Sequence, residues 1–210
     1  MSDTLSERSA GLYALLRIPS IYSGLQSVLG ATRAQQRFVD EFVKPTENCT
    51  IIDFGAGTAS IRTSLPLNCN YIAIEPNELY CQSIRDSYPD GSVEVVVGDV
   101  EALSQFNQSA DTVLVVAVLH HLPDDEAKAV FAAAAQALRP GGRMVTLDNC
   151  YHTSQSIISR TLTRLDRGPF VRRPEEYVGL ASSFFHEIQS TLVTDYLRVP
   201  YSHIILECRR

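Results

Sequence analysis

Short apolar runs alternate along this chain with stretches whose apolar residues recur every three or four positions. Residues 50–54, 71–74, 93–97, 111–118 and 143–147 read as strands. The fourth of these is apolar on both faces, as a central parallel strand is. Between them lie helical patterns. One covers 58–65 and ends before Pro66. A second starts from Asn77 as its cap, carries Glu78 in its first turn and runs to Ser87. A short patch covers 101–106. An alanine-rich helix over 126–138 can be capped by Asp124 or Asp125 and is stopped by Pro140-Gly141-Gly142. This alternation predicts a parallel sheet with helices on both faces.

The two ends follow other patterns. Residues 10–43 read as helical, with Leu12, Leu15 and Leu16 as one stripe, interrupted near Pro19. Phe38, Phe42 and Val43 form a second stripe over 32–43, closed by Pro45 and a polar Thr46-Glu47-Asn48. After the fifth strand, 154–165 and 174–185 are helical, and 190–199 and 202–210 alternate like strands. They meet at Pro200-Tyr201, a link too short for a parallel crossover, so an antiparallel hairpin closes the sheet.

Composition narrows the classes. A chain of 210 residues, 45% apolar and 20% charged, suits one α/β domain with a sizeable core. The formal charge of −6 argues against a broad basic face for nucleic acid. The five cysteines, Cys49, Cys69, Cys81, Cys150 and Cys208, are odd in number and form no C-x-x-C pair. They read as buried reduced thiols of a cytoplasmic protein. Met1 to Glu7 lacks the basic and apolar regions of a secretory signal. The longest purely apolar run, 113–119, is far short of the ~20 residues of a membrane span.

The chemistry concentrates at Thr50-Ile51-Ile52-Asp53-Phe54-Gly55-Ala56-Gly57-Thr58, where a strand runs through an acid into a Gly-x-Gly turn. The glycines let the chain turn sharply and let a ligand approach. A carboxylate beside this turn repels a pyrophosphate and favours a ligand that carries a cation. Glu75 lies 18 positions after Gly57 (75 − 57), at the end of the second strand, where a carboxylate can accept from both hydroxyls of a ribose. Asp99 ends the third strand and either accepts from an adenine amino group or forms a turn after Gly98. A dinucleotide site is disfavoured, because the third glycine of its fingerprint is replaced by Ser60.

With these residues in view, the chain resembles a class I S-adenosylmethionine-dependent methyltransferase, of the small-molecule, quinone-biosynthesis-like type. The resemblance rests on five segments in order. They are Ile51-Ile52-Asp53-Phe54-Gly55-Ala56-Gly57-Thr58, Ala73-Ile74-Glu75-Pro76-Asn77, Gly98-Asp99-Val100, Val116-Ala117-Val118-Leu119-His120-His121-Leu122 and Leu138-Arg139-Pro140-Gly141-Gly142-Arg143. It implies an α/β, Rossmann-like, seven-stranded, mostly parallel sheet with an antiparallel last strand, helices on both faces and an N-terminal helical lid. Residues 1–210 would form one methyltransferase domain: lid 1–45, cofactor-binding core 46–148, and helical insert with C-terminal hairpin 149–210.

The resemblance also implies roles. Gly55, Ala56 and Gly57 would pack on the methionyl part of S-adenosyl-L-methionine, and Asp53 would favour its ammonium, directly or through water. Glu75 would hold the ribose. Pro76, Asp99 and Val100 would line the adenine, and Ala117 and Val118 the methionine chain. Tyr22 and Arg33, with Gln26, would close over the cofactor from the lid. The acceptor would be a small molecule methylated on O or N; the alternative is a cofactor-binding protein with a non-methylating activity or a sensor role. No nucleic acid or membrane span is expected, and a homodimer is the only self-assembly considered.

Methyl transfer is a displacement at an activated carbon, so alignment supplies much of the rate and a base is needed only for a protonated acceptor. His121, Asp148, Tyr151 and His152 are the leading candidates, with His120 and His203 behind them. His120 and His121 should diverge, one toward the cofactor and one toward neighbouring loops. Asp148-Asn149 resembles the Asp-Asn pair that binds magnesium in catechol-type O-methyltransferases, but the fourth strand ends without an acid and no metal is expected. Arg167, Arg172 and Arg173 form a cluster that suits a carboxylate or phosphate, or simply a solvated face.

Overall fold

The computed structural model describes residues 31–165, 168–197 and 199–210. Helix α1 (Ala31–Phe38) runs into a π-helical turn (Val39–Val43) that ends at Lys44 in the left-handed region. Then follow β1 (Thr50–Phe54), a 3-10 turn (Ser60–Ser64), β2 (Asn70–Glu75), α2 (Glu78–Ser87), β3 (Glu94–Val97) and α3 (Val100–Leu103). The second half holds β4 (Ala110–Val116), a 3-10 turn (Leu119–His121), α4 (Asp124–Ala137) and β5 (Leu138–Asn149). It closes with α5 (Ile157–Leu165), α6 (Pro174–Ala181), β6 (Glu187–Val193) and β7 (His203–Arg209).

The seven strands lie in the order β3-β2-β1-β4-β5-β7-β6. β1 pairs parallel with both β2 and β4, so the strand order reverses between β1 and β4. Ligands of open α/β sheets bind at the carboxyl edge beside such a reversal. β7 inserts antiparallel between β5 and β6. Each strand alternates its side chains between two cores. On one face Ile52, Ile74, Val113 and Met144 pack with Val130 and Phe131 of α4 and Tyr177 of α6. On the other, Ile51, Tyr71, Leu114 and Val145 pack with Phe38, Phe42 and Ile84. All five cysteines are free and buried, and burial pushes the Cys150 and Cys208 thiols up to about 12.

Several boundaries differ from the sequence reading. β4 stops at Val116 because Ala117 turns into the left-handed region at φ 58°. Pro123 occupies the N-cap of α4, and Asp124 and Asp125 fall in its first turn instead of capping it. The helix stops at Ala137, and β5 already begins at Leu138, paired with Ala110 before a register shift. β6 starts at Glu187 and ends at Val193, so residues 194–202, not a tight turn at Pro200-Tyr201, join it to β7. Residues 1–30, with Tyr22 and Gln26, and Arg167 lie outside the described residues.

Candidate functional site

At the end of β1 the chain turns back over β2. Gly55 and Ala56 both donate to the Ile74 carbonyl, at 2.8 and 3.2 Å. Gly55 and Gly57 take φ of 72° and 56°, which glycine adopts without the strain of a side chain. Gly55 has a second reason to be glycine: a Cβ there would stand 2.5 Å from Val118 Cγ2. Gly55→Ala should therefore cost about 1–3 kcal/mol in stability and push Val118 aside. Thermal melting checks this, and a melting point equal to that of the wild type would refute the packing role.

Glu75 is the best-organised group at this edge. It is buried, and its two oxygens each accept one backbone N–H at 2.9 Å, from Gly57 to Oε2 and from Asn77 to Oε1. The carboxylate thus ties the Gly-x-Gly turn to the start of α2, where Asn77 caps the helix by accepting from the Leu79 N–H. Each oxygen keeps a lone pair for a ligand donor. On the same face of the sheet, Asp53 is 4% exposed and accepts a hydrogen bond from the Tyr71 hydroxyl. Burial raises the Asp53 carboxyl to about 6, the Tyr71 hydrogen bond opposes this, and the Glu75 charge adds to it. Burial and the neighbouring Asp53 push the Tyr71 hydroxyl well above its usual value. The pair stores an anion that a cationic ligand would relieve.

The remaining cofactor candidates frame this centre. Pro76 is exposed after Glu75. Asp99 is exposed and caps α3, its Oδ1 accepting from the Glu101 N–H, so its turn-forming role is realised. Val100 is half-buried beside it. Ala117 is exposed and donates its N–H to the Leu147 carbonyl at 2.7 Å, which holds the β4 loop against β5. Arg33 lies exposed on α1.

The two histidines after β4 do not diverge as the sequence suggested. Their ring centroids are 4.1 Å apart, with the planes tilted by 42°, on the 3-10 turn that follows β4. His120 is buried and His121 exposed. His120 Nδ1 lies 2.7 Å from Asp148 Oδ1, and the His120 backbone N–H donates to the same oxygen. Asp148 is fully buried, and burial pushes its carboxyl above the usual range against the pull of His120. Its Oδ2 has no hydrogen-bond partner among the described residues. Asp148 thus meets His120 through one oxygen and is sealed from solvent. Sequence reasoning treated these two residues separately; only the pairing of β4 with β5 joins them.

Asn149 follows Asp148 at the end of β5, and no cluster of three or more His, Cys, Asp or Glu side chains suited to a metal ion lies among the described residues. Asn149 Nδ2 donates to the Tyr201 hydroxyl at 3.3 Å, and the Tyr201 and His203 rings lie 5.3 Å apart. Tyr151 is half-buried, with the Arg160 guanidinium 5.9 Å from its ring. His152, also half-buried, bridges Ser154 Oγ at 3.1 Å and Ser202 Oγ at 3.0 Å. Asn149, Tyr151, His152, Tyr201 and His203 thus converge on the β5 and β7 ends.

Within the arginine cluster, Arg172 is spent on the protein itself. Arg172 is buried and donates to the carbonyls of Leu119, Phe170 and Leu122 and to Asp124. It clamps the loop after β4 and has no donor pair to offer a ligand. Arg173 sits at the N-cap of α6, its backbone N–H donating to Glu176. Polar contacts between chain segments decide this, and no local pattern records them.

Comparison with known proteins gives the same picture. Residues 51–142 match the family described as Methyltransferase domain. An uncharacterized methyltransferase of Bacillus cereus is 26% identical over 159 residues, 75% of this chain and 66% of that protein. A carboxy-S-adenosyl-L-methionine synthase of Shewanella oneidensis is 32% identical over 143 residues, 61% of this chain and 57% of that protein. The chain thus spans less than two thirds of the length of these relatives. Among solved structures, PigF with SAH superposes with a TM-score of 0.71 at 16% identity, over 94% of this chain and 61% of that one. The fold, a Rossmann-like seven-stranded sheet, is shared with that structure.

Proposed function

We propose that this chain, whose residues 51–142 match the family described as Methyltransferase domain, is a class I S-adenosylmethionine-dependent methyltransferase that transfers a methyl group from S-adenosyl-L-methionine to an oxygen or nitrogen of a small molecule. Glu75 carries the reading. A carboxylate held by the Gly57 and Asn77 N–H groups beside the strand-order reversal is a ready acceptor for two ribose hydroxyls. Asp53 faces the ammonium, Gly55, Ala56 and Gly57 pack on the methionyl part, and Asp99, Val100 and Pro76 line the adenine. Ala117 and Val118 meet the methionine chain. Arg33, exposed on α1, belongs to the lid side of the same reading.

The acceptor side comprises the β5 and β7 ends. His121 is exposed beside the His120–Asp148 pair, and Tyr151 and His152 are half-buried. The acceptor's nucleophile attacks the sulfonium methyl as the carbon–sulfur bond breaks, leaving S-adenosylhomocysteine. A proton, if the acceptor carries one, passes to His121 or His152. Asp148 acts on this chemistry only by setting the tautomer and orientation of His120.

A second reading has one observation behind it: the 32% identical relative is named for making carboxy-S-adenosyl-L-methionine. The same cofactor cradle would then serve a non-methylating reaction. Calorimetric titration with S-adenosylhomocysteine should give saturable one-to-one binding, and no binding would refute the cofactor assignment. Mass analysis of turnover with labelled cofactor separates the readings. A methylated acceptor with S-adenosylhomocysteine supports methyl transfer; a modified cofactor without methylated product refutes it in favour of the second reading.

A further inference from the structure

Helix α5 is seated with its polar side inward. Its sequence, Ile157-Ile158-Ser159-Arg160-Thr161-Leu162-Thr163-Arg164-Leu165, is amphipathic, yet Ser159 and Thr163 are the buried residues. Ile157, Ile158 and Leu165 stand 85%, 64% and 66% exposed. Hydrogen bonds hold the inner face. Ser159 Oγ meets Ser202 Oγ at 3.0 Å, and Gln155 Nε2 donates to Ser159 and Thr163, each at 3.1 Å. Helices that only complete a domain turn their apolar stripe to the core. Here Ile157, Ile158 and Leu165 contribute nothing to it, while Leu162 is half-buried.

The charge around this face is one-sided. Arg160 and Arg164 are exposed on the helix, which carries no Asp or Glu of its own; the nearest acids in sequence are Asp166 and the buried Asp148. The whole chain is nevertheless acidic, with a formal charge of −6. Exposed aliphatic residues flanked by arginines form the pattern of a helix lying in a lipid interface. A second copy of the chain fits less well. A two-fold contact through α5 would set the same arginines against each other with no acid on the helix to meet them. The three exposed side chains also offer at most on the order of 400 Å², against ~800 Å² per partner in a standard interface.

We propose that the outer face of α5 docks on an anionic lipid surface, with Ile157, Ile158 and Leu165 in the acyl boundary and Arg160 and Arg164 on headgroup phosphates. This does not depend on the methyl-transfer reading; of these residues only Arg160 neighbours the acceptor side, its guanidinium 5.9 Å from the Tyr151 ring.

The test is sedimentation of the full chain with vesicles of phosphatidylcholine alone and mixed with phosphatidylglycerol. Binding is expected only to the mixed vesicles, and should weaken as salt is added. The triple variant Ile157→Ser, Ile158→Ser, Leu165→Ser should bind at least ~10-fold more weakly, as should Arg160→Gln with Arg164→Gln. The chain has no tryptophan, so Leu165→Trp supplies a single emitter whose spectrum should shift to the blue on mixed vesicles. That variant and the arginine pair keep the test alive if the triple variant does not fold. Absence of binding to the mixed vesicles, or no blue shift, would overturn the proposal. So would gel filtration that shows a wild-type dimer and a monomeric triple variant, which would assign the face to self-association.

Discussion

Glu75→Ala should raise the dissociation constant for S-adenosylhomocysteine by about 100-fold or more, the loss of two hydrogen bonds to a charged acceptor at ~1.5–3 kcal/mol each. It should also lower stability, because the Gly57 and Asn77 N–H groups lose the oxygens that hold them. Glu75→Gln should fall between. It keeps one acceptor oxygen but turns an NH₂ toward one of the two backbone N–H groups. Calorimetric titration, with a melting curve for each variant, separates lost binding from lost folding. Wild-type affinity in a folded Glu75→Ala protein would remove Glu75 from the site.

The second large effect concerns Asp53, and it runs in opposite directions for stability and binding. Its carboxyl titrates at about 6 in the folded chain, against an ordinary value of 3.8. Below about pH 4 both folded and unfolded states hold the proton and no cost arises. Between about 4 and 6 the unfolded chain has lost the proton while the folded one retains it, so stability falls as pH rises. Above about 6 the full cost of a buried, ionised Asp53 is present, up to ~3 kcal/mol. Asp53→Asn keeps an acceptor for the Tyr71 hydroxyl and removes the charge. It should be ~1–3 kcal/mol more stable than the wild type at pH 7.5 and no more stable at pH 4. Its affinity for S-adenosylhomocysteine should drop about 10-fold, since the ammonium loses its counter-charge. Urea unfolding at the two pH values checks the first half. A variant less stable than the wild type at pH 7.5 would show that the buried carboxylate is not held at a cost.

How much of this was legible in the chain differs by interaction range. β1 falls on the residues read from the apolar run, and Asn77 caps α2 as its position suggests. Both depend on neighbours within a few residues. The Glu75 position was legible for the same reason: a strand end and a Gly-x-Gly turn are local patterns, and parallel pairing of β1 with β2 follows from their alternation with helices. The boundaries that moved were set by other forces. Ala117 leaves the strand early through a left-handed φ of 58°, even though its N–H still reaches the Leu147 carbonyl on the adjacent strand. β5 lengthens because Leu138 finds Ala110.

The site divides along the same line. Local residue types and spacing determined the sheet class, the cofactor edge and the acid at its centre, because the period of burial and the conformational needs of glycine are written into neighbouring positions. Tertiary structure alone decided that Asp148 serves His120, that Arg172 is consumed by three carbonyls and an aspartate, and that α5 turns its apolar side out. Each of these rests on polar partners dozens of positions apart, or on which side of a helix finds hydrogen bonds. A buried charge or hydroxyl takes the partner that packing brings to it, and sequence spacing does not encode that choice.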